Sequence, residues 1–450
     1  MSLALPQGAR EVLARLTRAG YEAYLVGGAV RDLLLSRAVS DIDVATSARP
    51  DEVRALFSPL RVVETGIAHG TVTVLLENGE KAEITTFRKE GAYSDFRHPD
   101  RVEFVDDVFS DLARRDFTVG AMALSLEGQL LDPYGGREDL AAGVLRAVGE
   151  AERRFSEDAL RILRGLRFVA TLGFSLEKTT RRAMHKMKDR LSLVARERQF
   201  SELCRLLCGE FAERVLFGER EILAVVLPEL LPTFDFEQKS PYHAWDVYTH
   251  TGKTVCALPR ESALRLAALY HDLGKPQAFF TDEKGVGHFY GHAEHSTRIA
   301  VRSLRDFAAP RLLAHEVAAL VALHDDVLTP TKKCVRRRLY RHGEAFLVRL
   351  ITFQRADASA HGSALAEEKL RELDAFERLL SEVLCEEKER GGGALALSGE
   401  DLLALGIPES PALGRILQLL REAVLEEEVA NTREALLPRA LSEWELMKGD

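Results

Sequence analysis

Two glycines and two aspartates near the N-terminus carry the sharpest chemical signal in this 450-residue chain. The run Leu25-Val26-Gly27-Gly28-Ala29-Val30-Arg31-Asp32 leads an apolar stretch into a Gly-Gly pair, and Asp41-Ile42-Asp43 follows nine residues on. Glycines have no Cβ, so backbone N–H groups can approach phosphate oxygens closely. Asp41 and Asp43, two apart on a strand, point to one face. Two carboxylates on one face can hold a pair of Mg²⁺ ions, which activate an attacking hydroxyl and neutralise a departing pyrophosphate. Asp41 and Asp43 are therefore the candidate catalytic and Mg²⁺-binding residues, and transfer of a nucleotidyl group is the chemistry they point to. The competing reading is a glycine turn followed by a solvated acidic turn; the Asp-x-Asp in register with the glycines counts against it.

Two further constellations suit a nucleotide. Arg114-Arg115-Asp116-Phe117-Thr118 precedes the apolar segment Ala121-Met122-Ala123-Leu124, and charges set against a buried element are costly unless they bind something. A ribose diol matches an Asp acceptor beside an Arg donor. Glu157-Asp158-Ala159-Leu160-Arg161 opens a segment whose apolar residues Leu160, Leu163 and Leu166 recur at helical spacing. Asp158 and Arg161, three apart, would share a face of that helix. A carboxylate beside a guanidinium offers an acceptor next to a donor. Cytosine and adenine each present an amine beside a ring nitrogen and fit that edge, whereas guanine and uracil place a carbonyl where the amine should be. The bland alternative is a surface ion pair contributing a few tenths of a kcal/mol.

These residues must be positioned by elements that the sequence also outlines. A prior of roughly 150 residues per domain suggests about three units. Residues 71–76, 82–87 and 102–105 read as short strands, and from about 151 onward the pattern is almost wholly helical. The expected fold is an α+β head, with a small mixed or antiparallel sheet and helices, followed by an all-α neck, a histidine-rich domain and a tail, with boundaries at 1–145, 146–235, 236–375 and 376–450. Residues 88–100 lack periodicity and read as a loop beside the site. Gly391-Gly392-Gly393 marks a linker, after which Ser398 caps a small helical unit. Net charge is −9 and 46% of residues are hydrophobic, yet basic clusters lie at 114–115, 153–154, 161–167, 181–190 and 332–338. Their concentration between about 114 and 200 suggests a phosphate-tracking surface. No run approaches the roughly 18 apolar residues of a membrane span, and five scattered cysteines without a Cys-x-x-Cys pair fit a reduced cytoplasm.

Taken in order, these motifs resemble the class II tRNA nucleotidyltransferase/poly(A) polymerase family of bacterial type, along nearly the whole chain. In that resemblance Asp41 and Asp43 are the metal carboxylates, Gly27, Gly28, Arg31 and Asp32 the Gly-Gly-x-x-Arg-Asp motif, and Arg114, Arg115 and Asp116 the ribose-binding triplet. Glu157, Asp158 and Arg161 are the amino-acid template, and Arg88 and Arg164 join the nucleotide-binding set. The loop after Thr86-Phe87-Arg88 resembles the one that members use when switching from C to A, residues 132–136 the hinge between head and neck, and residues 398–417 with Asn431 the tRNA-gripping tail. Gly120 stands where the family usually carries Asn. The resemblance implies addition of CMP and AMP from CTP and ATP to tRNA 3′ ends, with Mg²⁺ in the head, tRNA as partner and a cytoplasmic location. An A-adding specialist or a poly(A) polymerase would share the chemistry, as would a CC-adding specialist, against which the unshortened loop argues. The template counts against a regulatory nucleotidyltransferase that modifies a protein, and the two aspartates against a non-catalytic RNA-binding scaffold.

The histidine-rich stretch resembles the HD phosphohydrolase superfamily. His250, the pair His271-Asp272, His295, His324 and Asp357 are separated as in that superfamily. The resemblance implies a first metal on His250, His271, Asp272 and Asp357, and a second site completed by His295 and His324, with His292 and Asp326 as substitutes. Imidazole and carboxylate together suit Mn²⁺, Fe²⁺, Ni²⁺ or Mg²⁺. The implied activity is hydrolysis of phosphoesters such as 2′,3′-cyclic or 3′-phosphate tRNA ends; an inherited fold without turnover is the alternative.

Overall fold

Alternation of apolar and polar residues builds the head. Its strands are β1 (Ala23–Val26), β2 (Ile42–Thr46), β3 (Arg61–Gly66), β4 (Thr71–Leu75), β5 (Lys81–Thr86), β6 (Arg88–Glu90), β7 (Val102–Phe104), β8 (Ala123–Leu124) and β9 (Leu130–Leu131). The structure is a computed structural model that describes residues 4–39, 41–66, 70–90, 102–240, 244–361, 365–389, 395–426 and 428–448. Seven strands form one sheet in the order β3-β4-β5-β2-β1-β8-β9. Only the β2–β5 pairing within it is parallel, so the sheet is mixed, as expected. β6 and β7 form a separate antiparallel ribbon.

In β5 the residues alternate strictly at first, with Ala82 and Ile84 buried and Lys81 and Glu83 exposed, which fixes which side chains reach the open face. Helix Gln7–Arg18 buries Ala9, Val12, Leu13 and Leu16, the spacing of one helical stripe. A core of Val26, Ala45, Phe87, Val108, Leu112 and Ala123 seats helix Val108–Ala113 on the sheet. Asp107 caps that helix by accepting from the Phe109 and Ser110 N–H groups. Arg115, which follows that helix, is thereby delivered beside Gly27 at the end of β1.

The chain divides into two compact units: Met1–Pro232 with Arg260–Leu266 and Val301–Ala314, and Thr233–Pro259 with Ala267–Ala300 and His315–Asp450. In the first, helix Ala151–Glu157 stops at Asp158, whose backbone is extended (φ −144°, ψ 107°), and a new helix runs Leu160–Leu172. The periodic leucines Leu160, Leu163 and Leu166 are buried. In the second, the helices include Val247–Ala257, Lys332–His342, Glu344–Ala360 and Leu365–Glu389, and a short hairpin pairs Phe280–Thr281 with Gly287–His288. The tail has its own small core, including Leu402, Ile407, Ile416, Leu420 and Leu436. Its first helix is closed by the Ser398–Asp401 capping box. The glycine linker and most of the loop expected at 88–100 lie outside the described residues.

Candidate active site and metal centre

β1 ends at Val26 and helix Gly28–Leu34 begins two residues later, so Gly27 makes the turn with φ 68° and ψ −134°. A Cβ at Gly27 would stand 3.1 Å from Arg115 Nη1 and 3.5 Å from Asp43 Oδ2. The left-handed backbone and the crowding together require glycine. Asp43 lies within β2, whereas Asp41 stands just before the strand and is exposed, which corrects the expectation of two carboxylates on one strand. The parallel register puts Asp43 directly beside Glu83 of β5. Burial raises the Asp43 pKa, the Glu83 and Asp41 carboxylates push it the same way, and Arg115 only partly opposes them, leaving it at about 6. A divalent cation beside Asp43 would relieve the repulsion that makes this carboxyl resist ionisation. Glu83 was missed in the sequence because only the β2–β5 pairing brings it there.

Asp111, fully buried, anchors both arginines. It accepts from Arg114 Nε at 2.9 Å and Nη2 at 2.7 Å, and from Arg115 Nη2 at 3.2 Å. Arg115 Nη1 also donates to the Gly120 carbonyl at 3.3 Å. A Cβ at Gly120 would meet nothing nearer than Asp116 Oδ1 at 3.9 Å, so the place of the usual Asn side chain is open space beside Asp116. Asp116 Oδ2 accepts from Arg164 Nε at 2.7 Å and Oδ1 from the Phe117 N–H at 3.0 Å. Burial works against ionisation of Asp116, but Arg164 outweighs it and the pKa is lowered. Arg31 forks onto Asp32 at 2.9 and 3.1 Å, its guanidinium 5.4 Å from the Phe168 ring centroid. Arg88 sits half-buried in β6.

The helix break separates the expected template pair. The Asp158 carboxylate does not bond the Arg161 guanidinium: its Oδ1 accepts from the Leu160 N–H at 3.0 Å and its Oδ2 from Arg198 Nη2 at 2.7 Å. Arg161 is buried, bonded to Glu157 Oε2 at 2.6 Å, to the Arg154 carbonyl at 3.1 Å and to the Arg114 carbonyl at 2.9 Å. The two groups are thus held independently, each by its own partners, and Asp158 keeps lone pairs to spare. A pocket beside Glu157 is lined by Lys89, Arg114, Arg153 and Arg154. Arg198 escaped the sequence reading because it lies on another helix, Arg196–Leu207.

In the second unit the histidines and aspartates converge. His250 Nε2 is 2.9 Å from Asp357 Oδ1 and 3.5 Å from Asp272 Oδ2. His271 Nε2 is 3.2 Å from Asp272 Oδ2 and 3.3 Å from Asp357 Oδ1. His292 and His324 meet through their Nε2 atoms at 3.0 Å, beside Asp272 Oδ1 at 3.4 and 3.9 Å. The Nδ1 atoms of His271, His292 and His324 lie 2.7, 3.0 and 2.7 Å from the carbonyls of Ala268, Phe289 and Val321. Those contacts turn each ring so that Nε2 is the atom facing inward, the orientation a metal-ligating imidazole needs. Burial lowers the His324 pKa to about 3; burial also acts against a charge on His271, but Asp272 and Asp357 overcome it and raise that pKa to about 10.

His295 is a correction. It sits on the same helix as His292 but bonds Gln277 Oε1 at 3.1 Å, and His292 takes the inward place. Asp326 turns instead to Arg338 at 2.6 Å. His361, absent from the sequence reading, joins His250 and Asp357 in a third possible ligand group.

Three family descriptions match in chain order: the Poly A polymerase head domain at residues 23–146, the RNA and SrmB-binding site of polymerase A at 173–233, and tRNA nucleotidyltransferase domain 2 at 281–440. A CCA-adding enzyme from Geobacillus sp. (strain WCH70) is 35% identical over 432 residues, covering 96% of this chain and 95% of that protein. One from Streptococcus pyogenes serotype M2 is 52% identical over 201 residues, 45% of this chain and 49% of that protein. Among solved structures, the Bacillus stearothermophilus CCA-adding enzyme in complex with CTP is similar at a TM-score of 0.68 and 29% identity, over 98% of each chain.

Proposed function

The chain belongs to the CCA-adding enzymes, tRNA nucleotidyltransferases with a poly A polymerase head, and from that premise we propose how its own residues perform the reaction. It adds CMP and AMP from CTP and ATP to the 3′ end of tRNA and releases pyrophosphate. The observation that carries the reading is the Gly27 turn set against Asp43 and Arg115, where a triphosphate can reach bare backbone beside the carboxylates. Asp41, Asp43 and Glu83 would hold the divalent cation, which we take to be Mg²⁺. Bound there, such an ion lowers the pKa of the attacking 3′-hydroxyl and neutralises the departing pyrophosphate. Asp116, kept ionised by Arg164, accepts from the ribose hydroxyls, while Arg114 and Arg115, fixed by Asp111, face the phosphates. Asp158 and Arg161 choose the base: the carboxylate accepts from the exocyclic amine and the guanidinium donates to the ring nitrogen of cytosine or adenine. A cytoplasmic setting fits the five free cysteines; among the described residues no helix is long and apolar enough to cross a membrane.

The test supplies tRNA transcripts ending at the discriminator base, at C and at CC, with CTP and ATP singly and together. All three should grow to CCA with both nucleotides; addition of A to the CC end alone would make the enzyme an A-adding specialist.

A second reading, for the other unit, rests on the inward-facing His and Asp groups: a divalent-metal phosphoesterase that trims cyclic or terminal phosphates from RNA ends, with Mn²⁺, Fe²⁺, Ni²⁺ or Mg²⁺ suiting the ligand set. Metal-dependent opening of a 2′,3′-cyclic phosphate, abolished by Asp272→Ala, is the expected result; no turnover with any of the four metals would leave an inherited fold.

A further inference from the structure

A cluster of exposed aromatic rings stands beside the His/Asp centre and has no part in the chemistry described so far. Phe280 and His288 are directly paired across the short hairpin, their ring centroids 5.3 Å apart and nearly parallel at 28°. Tyr290, two residues past His288, adds a third ring 5.5 Å from His288 at 19° and 5.6 Å from Phe280. Large aromatic rings are usually covered, yet Phe280 is 46% and Tyr290 76% exposed.

The cluster is held rigid from below. Asp282 Oδ2 fixes the His288 ring at 3.0 Å, while its Oδ1 closes the turn by accepting from the Lys284 and Val286 N–H groups, both at 2.9 Å. The Gly287 N–H donates to the Lys239 carbonyl at 2.8 Å, and Phe279 and Phe289, alternating with the exposed rings, pack together at 5.5 Å. From Phe289 the path to the centre is short. Lys275 lies 5.2 Å over its ring and pairs with Asp272 at 2.8 Å; Tyr290 precedes His292 by two residues.

We propose that Phe280, His288 and Tyr290 form a stacking platform for the unpaired 3′-terminal nucleobase of tRNA, seating its terminal phosphate at the His/Asp centre. The proposal rests on the phosphoesterase reading of that centre. His288 stacks with both Phe280 and Tyr290, which are tilted at 46° to each other; exposed rings of this kind suit a flat heteroaromatic base better than an aliphatic protein surface, and every base has a π-face, so the platform accepts any terminal nucleotide. The tRNA 3′ end is single-stranded and is already the substrate of this chain.

The test uses the full-length protein and an RNA oligonucleotide with 2-aminopurine as its last base and a 2′,3′-cyclic phosphate. Stacking quenches the fluorophore. The variant Phe280→Ala/Tyr290→Ala should weaken the quenched complex about tenfold, the scale of one lost base–aromatic stack, and Tyr290→Trp should preserve it. In parallel, phosphoester opening is compared between this oligonucleotide and base-free bis(p-nitrophenyl) phosphate with Mn²⁺. The preference for the base-bearing ester should shrink about tenfold in the double variant. Undiminished quenching in the variant overturns the proposal, as does an equal loss on both esters, which would mark a collapse of the hairpin under His292. If the wild type opens neither ester, the phosphoesterase reading fails, and the quenching arm alone decides the platform.

Discussion

Asp43 shows how a single residue can be legible in the sequence while its electrostatics are not. Its place in an Asp-x-Asp after a Gly-Gly turn announced metal chemistry, but Glu83 became visible only through the β2–β5 register. The two together make a testable statement about pH. A carboxyl with a folded pKa of about 6, above its unfolded value, contributes stability that is fully present below the unfolded pKa and lost as pH rises through the folded one. Asp43→Asn, which cannot ionise, should therefore raise the melting temperature of the metal-free protein more near neutral pH than near about pH 4, while abolishing nucleotide addition. Calorimetry in chelator across that range checks the sign; a larger gain in acid would contradict it. Arg198 is the opposite case, silent in the sequence because it acts from another helix. Its fork on Asp158 holds in place the carboxylate we propose reads the base, so Arg198→Ala should raise UMP and GMP misincorporation about tenfold with CC-ended and C-ended tRNA, a loss equivalent to roughly 1.4 kcal/mol of discrimination. Arg198→Lys should restore part of it, and unchanged selectivity with a fallen kcat would reduce Arg198 to a structural role.

At the scale of elements, helical periodicity located the Leu160–Leu172 helix correctly but could not reveal the break before it. The leucine stripe is a property of burial, whereas the break at Asp158 comes from its side chain capturing the Leu160 N–H, a local bond that competes with helix continuation. The basic run at 332–338, which lies outside the stretch read as phosphate-tracking, is explained by its partners. Lys332 and Arg336 bond Glu386, Lys333 pairs with Glu426 and Arg338 with Asp326, so this stretch ties helices together rather than offering bare charge to phosphate. Close packing of the Leu160–Leu172 helix yields a further prediction. A Cβ at Gly165 would stand 2.3 Å from Met184 Cε and 2.8 Å from Phe117 Cζ. Met184 can yield, but Phe117 is fully buried and adjoins Asp116. Gly165→Ala gains about 1 kcal/mol of helix propensity against roughly 1–3 kcal/mol of overpacking. The net expectation is a lower melting temperature and a several-fold higher KM for both CTP and ATP, since Asp116 and Arg164 are displaced together. An altered KM for one nucleotide only would place the effect elsewhere.

Across the whole molecule, the chain carries two chemical centres in two compact units, and the second yields a prediction independent of nucleotide addition. The resemblance to the HD superfamily brought His250, His271, Asp272, His324 and Asp357 to one centre, yet it put His295 before His292. They stand three positions apart, close to one helical turn, so both lie near the same face; only the packing of the helix decides which turns inward. That packing leaves four imidazoles and two carboxylates facing one another with several Nε2 atoms preset by backbone carbonyls, an arrangement built before any ion arrives. A ligand that binds only the folded state stabilises it by about 2.7 kcal/mol at a hundredfold excess over its dissociation constant. For a unit of this size that corresponds to a rise of roughly 5–10 °C in melting temperature. Mn²⁺ should therefore shift one calorimetric transition of the chelator-treated protein by that amount. His292→Ala should reduce the shift and His295→Ala should leave it intact. The reverse order for the two histidines would return the second site to the assignment that the resemblance implied.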